Sequence, residues 1–112
     1  MTDRLYLLNP GWHDDAGGPW YCPAGAIVEG VLSFYPALRE RLEIRYLDHP
    51  RPRPAVIAEV GEDHQSCPLL VLDQTFDWPE ANTSAATGRR FLQDEAIIPY
   101  LAARYGIGLP HP

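Results

Sequence analysis

The 112-residue chain contains no lysine: its nine basic side chains other than histidine are all arginine. Chemistry that needs a lysine, whether a Schiff base or a P-loop phosphate clamp, is therefore excluded. Cysteine is scarce, and the two present, Cys22 and Cys67, do not make a disulfide framework. Apolar runs are short, and none approaches the length needed to span a bilayer. The start, Met1-Thr2-Asp3-Arg4, leads into only four apolar residues before Asn9-Pro10, too few for the core of a signal peptide. A cytoplasmic, reducing compartment is the resulting expectation. Positive charge is in deficit as well. A formal net charge of -6 argues against nucleic acid or an anionic membrane as the partner, although Arg51 with Arg53 and Arg89 with Arg90 cluster locally. No Gly-rich phosphate cradle, Ser-His-Asp spacing or carboxylate pair stands out.

The length suits one domain, residues 1–112, with a single hydrophobic core. Arg4 to Leu8 reads as a first strand, closed by Asn9-Pro10-Gly11. A polar, glycine-rich loop with Gly17-Gly18-Pro19 then leads to Cys22. After Pro23, the spacing of Ile27, Val31, Phe34 and Leu38, widened by Val28 and Leu32, predicts a helix that stops near Tyr35 because Pro36 follows, with a short second turn beyond. Leu42, Ile44 and Tyr46 alternate with Glu43 and Arg45 as in a half-buried strand. His49 to Pro54 alternates proline with charge. Pro54 opens a helix carrying Val56, Ile57 and Val60 and ending at Gly61. Pro68 to Leu72 reads as a buried strand, Asp73 to Gly88 as the least structured stretch, and Arg89 to Leu92 as a short edge strand. Asp94 looks like the N-cap of a last helix with Ile97, Leu101 and Tyr105 on one face, a kink at Pro99 and Gly106 as its stop. A β-helix-β start implies two parallel strands joined by a right-handed crossover.

Two short stretches carry the chemistry. Tyr21-Cys22-Pro23 puts a thiol at a helix N-terminus, in the positive field of unpaired amides that favours the thiolate. Ser66-Cys67-Pro68 puts a proline, which cannot donate to a ladder, at the opening of a buried strand, the mark of a special backbone position.

This order of elements resembles the thioredoxin fold, an α/β architecture with a central mixed sheet of about four strands flanked by helices (βαβ-α-ββ-α). Tyr21-Cys22-Pro23-Ala24-Gly25 resembles the glutaredoxin active-site segment, with Gly25 where a second cysteine or a serine follows in that family. Ser66-Cys67-Pro68-Leu69-Leu70 is similar to the loop that carries the cis-proline of thioredoxins, glutaredoxins and glutathione transferases. Gln93 to Gly106 resembles the end of the glutathione-transferase N-terminal domain, where an acidic-serine pair helps hold the γ-glutamyl group; here that pair falls on Gln93-Asp94. The chain also resembles short bacterial thioredoxin-like proteins with no assigned function.

The resemblance implies roles for particular residues. Cys22 becomes a nucleophile that attacks a disulfide or carries glutathione, or else a small buried hydrophobe left from lost chemistry. Cys67, brought beside Cys22, becomes a resolving thiol, or merely fills a site usually taken by threonine or valine. Tyr21, Pro23, Pro68 and Asp94 become substrate-binding residues, with backbone groups of Cys67 offered to an extended peptide or to glutathione. Arg51 and Arg53 suit a carboxylate of glutathione, or are exposed linker charges. Trp12, Trp20 and Tyr21 would wall a groove or cap the core. Apart from the resemblance, the His64-x-x-Cys67 spacing with Cys22 as a second sulfur offers a metal set with no fourth ligand near in sequence, or else His64 faces solvent in a turn. His13, Asp14 and Asp15 read as a solvated turn. The expected partners are glutathione or protein thiols, or a second copy of the chain meeting the last helix through Tyr100 and Tyr105. The competing reading is a non-catalytic binding or dimerisation module.

Overall fold

A computed structural model describes residues 2–112. Its main sheet has five strands in the order β4-β1-β5-β7-β6: Arg4–Leu8 (β1), Glu43–Leu47 (β4), Leu69–Val71 (β5), Asn82–Thr83 (β6) and Arg90–Gln93 (β7). Strand β1 runs parallel to β4 and antiparallel to β5, and β5 and β7 are also antiparallel. Two further strands, Trp12–Asp14 (β2) and Gly17–Trp20 (β3), form a separate hairpin between β1 and Cys22. The sequence suggested a loop there. Its exposed strands have no alternating apolar face, so the usual strand signal is missing.

The sheet buries both faces, which is why its central strands are apolar without interruption. On one face Leu5, Leu7, Leu70, Leu72 and Leu92 meet Pro23–Phe34 (α1) and Ile97–Tyr105 (α4) through Val28, Leu32, Ile97 and Leu101. On the other, Tyr6, Leu69, Val71 and Phe91 meet Pro54–Val60 (α3) through Val56 and Val60. Each such aliphatic side chain contributes about 1.5–3 kcal/mol by leaving water. Among the described residues no helix is long and apolar enough to cross a membrane.

Several expectations hold in place but not in detail. α1 starts at Pro23 and ends at Phe34, and a short α2, Leu38–Arg41, follows. Its buried positions, however, are Gly25, Val28 and Leu32, while Ile27 and Phe34 are 58% and 80% exposed. The apolar stripe is wider than the sheet can cover, and the sheet takes one flank of it. β7 is not an edge strand, because the two-residue β6 pairs along its outer side. Asp94 does not cap the last helix. It lies at φ 52° at the start of a 3-10 turn, Asp94–Ala96, and makes no capping bond. Pro99 falls in the first turn of α4, where it replaces an amide with no intrahelical partner, so it starts the helix rather than kinking it. Tyr100 is fully buried and so cannot meet a second copy; its hydroxyl, like that of the part-buried Tyr105, donates to Asp3 at 2.6 Å.

Candidate functional site

Cys22 is the N-cap residue of α1. Its extended backbone (φ -77°, ψ 118°) turns the chain into the helix, and its Sγ accepts the Gly25 N–H at 3.4 Å. The thiol in turn faces the carbonyl oxygen of Cys67 at 3.7 Å. The Cys67-Pro68 peptide is cis and immediately precedes β5. Two side-chain bonds brace this segment: Gln93, at the end of β7, donates its amide to Ser66 O at 3.0 Å and to His64 O at 3.3 Å. The two cysteines, far apart in sequence, therefore sit side by side, both as free thiols.

They are not equivalent. Cys22 is half-buried, whereas Cys67 is only 7% exposed. Burial pushes the Cys67 thiol up to about 11, and neighbouring Arg53 offsets this only in part. Cys67 is thus a protonated thiol at neutral pH.

Cys22 borders two clefts of different character. A polar one of about 230 Å³ is lined by Trp12, Pro23, His49, Arg51, Arg53, Ser66, Cys67 and Asp94. Trp12, carried in by the hairpin, stacks flat on His49 with ring centroids 4.3 Å apart and forms one wall. An apolar cleft of about 300 Å³ on the other side is bounded by Leu7, Leu8, Tyr21 and Tyr46.

The two arginines of the polar cleft behave differently from each other. Arg51 is exposed and makes one long bond, to Ser66 Oγ at 3.4 Å. Arg53 is neither an exposed linker charge nor a free fork. It is 5% exposed, and its guanidinium donates to the backbone carbonyls of His49 and Gln65. Neutral carbonyls satisfy its hydrogen bonds but not its charge, so Arg53 contributes a positive field rather than a contact. Asp94 is exposed at the rim, and its carboxyl is raised, first by partial desolvation and then by Glu95.

Other sequence candidates lie elsewhere or are already occupied. His64 tilts against Phe91 with centroids 4.8 Å apart, and among the described residues no group of three or more His, Cys, Asp or Glu could hold a metal ion. Asp14 accepts from Ala16 N and Trp20 Nε1, which fixes the hairpin; Trp20 therefore belongs to the hairpin rather than to a cleft wall. Arg89 pairs with Glu59, and Arg90 donates to the carbonyls of Asp73 and Phe76, so these two do not form a free basic patch. His49 and Tyr46 were not anticipated at the site, and Ser66 was expected there only as the first residue of the Ser66-Cys67-Pro68 stretch. Of the first two, only His49 had a sequence cue, its place in the proline-interrupted run that begins after β4.

The model of a family described as "Protein of unknown function (DUF3088)" matches residues 2–109. No curated protein and no solved structure matches the chain.

Proposed function

We propose that this chain, which belongs to the DUF3088 family of proteins of unknown function, has a thioredoxin-like fold and carries out thiol–disulfide chemistry through Cys22. The strand order β4-β1-β5-β7, with β1 parallel to β4, supports the fold assignment, as does the helix that starts at Cys22 opposite a cis-proline. One observation carries the functional reading: the half-buried Cys22 thiol faces the Cys67-Pro68 segment at the mouth of a cleft containing Arg51, Arg53 and Asp94. That cleft suits a small zwitterionic thiol compound of the glutathione kind. Arg51 and the uncompensated charge of Arg53 favour its carboxylates, and the Asp94 carboxylate favours its ammonium.

The Cys22 thiolate attacks one sulfur of a disulfide. A new S–S bond forms, the old one breaks, and the departing thiolate carries away the electron pair. Cys67 is buried and protonated, so a second small thiol, rather than Cys67, releases the product from Cys22.

The test is incubation with glutathione disulfide followed by peptide mass analysis. The expected adduct forms on Cys22 and not on Cys67, and it forms severalfold more slowly in Arg51→Ala and in Asp94→Ala. A Cys22 that stays unmodified, or modification of both cysteines alike, contradicts the reading. A non-catalytic dimerisation module is the second reading, favoured by exposed Ile27, Phe34 and Leu109 around a cleft of about 460 Å³. It requires self-association in sedimentation that Phe34→Ser abolishes.

A further inference from the structure

The polar cleft accounts for only half of the surface around Cys22. The cleft on the other side has a floor of Leu7, Leu8 and Gly25 and walls of Tyr21 and Tyr46. Its one carboxylate is already engaged: Glu29, at the side of the cleft, accepts the Tyr46 hydroxyl at 2.5 Å and Arg39 at 3.3 Å. The cleft therefore offers an apolar body no free charge to meet.

Gly25 lines this cleft beside the sulfur. A Cβ at that position would stand 3.4 Å from Cys22 Cβ and 3.6 Å from its Sγ, against the side of the thiol. At about 300 Å³ the space is at the small end of ligand pockets, enough for one ring or a short alkyl chain.

We infer that the substrates are unsymmetrical disulfides: an acidic, glutathione-like half occupies the polar cleft and an apolar, aromatic-sized half occupies the Leu7–Tyr46 cleft, with the S–S bond at Cys22. This rests on the thiol–disulfide reading of Cys22. The Cys22 thiolate attacks the sulfur of the acidic half and forms a mixed disulfide with it. The substrate S–S bond breaks, and the apolar thiolate leaves with the electron pair and takes a proton from water. A second molecule of the acidic thiol, as thiolate, then attacks the adduct, forms its symmetrical disulfide and returns Cys22 as thiolate. The substrate is reduced and the acidic thiol is oxidised.

Two probes test this: the mixed disulfides of glutathione with benzyl thiol and with methanethiol. Their rates of adduct formation at Cys22 are each divided by the rate with free N-acetylcysteine, which removes intrinsic reactivity. Withdrawing a ring from water predicts a corrected preference for the benzyl compound of about tenfold. Ala26, an exposed α1 residue that lines the cleft, permits a filling substitution without disturbing the core. Ala26→Phe, and separately Tyr46→Ala, bring the preference to about one. A parent preference near one, with both probes still modifying Cys22, overturns the apolar subsite and leaves the thiol–disulfide reading standing. A preference that survives both substitutions also overturns the subsite. Failure of both probes to modify Cys22 overturns the underlying reading and this inference together, whereas failure of the benzyl probe alone overturns the subsite only.

Discussion

Strand β1 joins two polar regions that solve opposite problems. At its start, Asp3 is fully buried, and its carboxylate accepts the Asp73 N–H, the Tyr100 and Tyr105 hydroxyls and the Arg104 guanidinium. Arg104 reaches on to Asp73 at 2.8 Å, and Asp73 in turn accepts from Thr75. At its far end, Leu8 leads to a half-buried thiol, an arginine held by carbonyls without a counter-charge, and two open clefts. The first region also borders a cleft, of about 350 Å³, but the side chains of Asp73, Arg104 and Tyr105 that line it are paired with one another or with Asp3. The second leaves the charge of Arg53 without a carboxylate partner among the described residues and the Cys22 thiol facing only a carbonyl and an amide. Buried polar groups are tolerated where every partner is present, so the contrast separates groups that hold the fold from groups left available to a ligand.

The sharpest way to break this comparison is Asp3→Ala. It removes the shared acceptor of two tyrosines and one arginine and leaves Arg104 with Asp73 as its one carboxylate partner among the described residues. Removing one partner of a buried ion pair costs about 3–5 kcal/mol, and urea unfolding should register a loss of that order. A loss below about 1 kcal/mol would place this cluster among ordinary surface pairs and remove the distinction between the two ends.

Acid provides the next test. Burial alone would raise the Asp73 carboxyl, but hydrogen bonds from Arg104 and Thr75 outweigh it and bring it from 3.8 down to about 2. A carboxyl held lower in the folded than in the unfolded chain stabilises fully above the unfolded value. Its contribution, about 2 kcal/mol, fades as pH falls from about 4 through about 2. Asp94 at the other end has the opposite sign: its carboxyl is raised, so its ionisation opposes folding. Asp73→Asn should flatten the stability profile below about pH 4, whereas Asp94→Asn should leave that acid limb in place. Equal flattening by both substitutions would mean that the two ends do not differ electrostatically.

How much of this was legible in the sequence follows from the range over which each interaction acts. Local signals worked. Pro54 and Gly61 bracket α3, Pro36 ends α1, and Cys22-Pro23 opens it. The nearness of Cys67 to Cys22 came from resemblance rather than from pattern, and the thiol-to-carbonyl contact agrees with it. Long-range pairings gave no signal. Nothing in the composition says that Tyr100 and Tyr105 turn inward, because the acceptor that draws them is about a hundred residues away. Arg53 misled for the same reason. A charge between prolines reads as exposed, and only the carbonyls of His49 and Gln65, brought together by the fold, make a buried place for it. The apolar cleft, too, takes Tyr46 from an edge strand and Glu29 from a helix, a pairing with no sequence period.

The smallest expected effect is also the most discriminating between the two ends. Cys22→Ser changes one atom at an N-cap, and serine is among the preferred capping residues, so the bond from the Gly25 amide is retained. Stability should move by no more than about 0.5 kcal/mol in either direction, while glutathione adduct formation disappears. The same measurement on Cys67→Ser is the control. Cys67 belongs to the buried cluster of Tyr6, Leu69 and Phe91, and a hydroxyl there puts a polar group in an apolar site, at a cost of about 1–3 kcal/mol. If Cys22→Ser proved as costly as Cys67→Ser, Cys22 would be a packing residue like its neighbour, and both ends of β1 would serve stability alone.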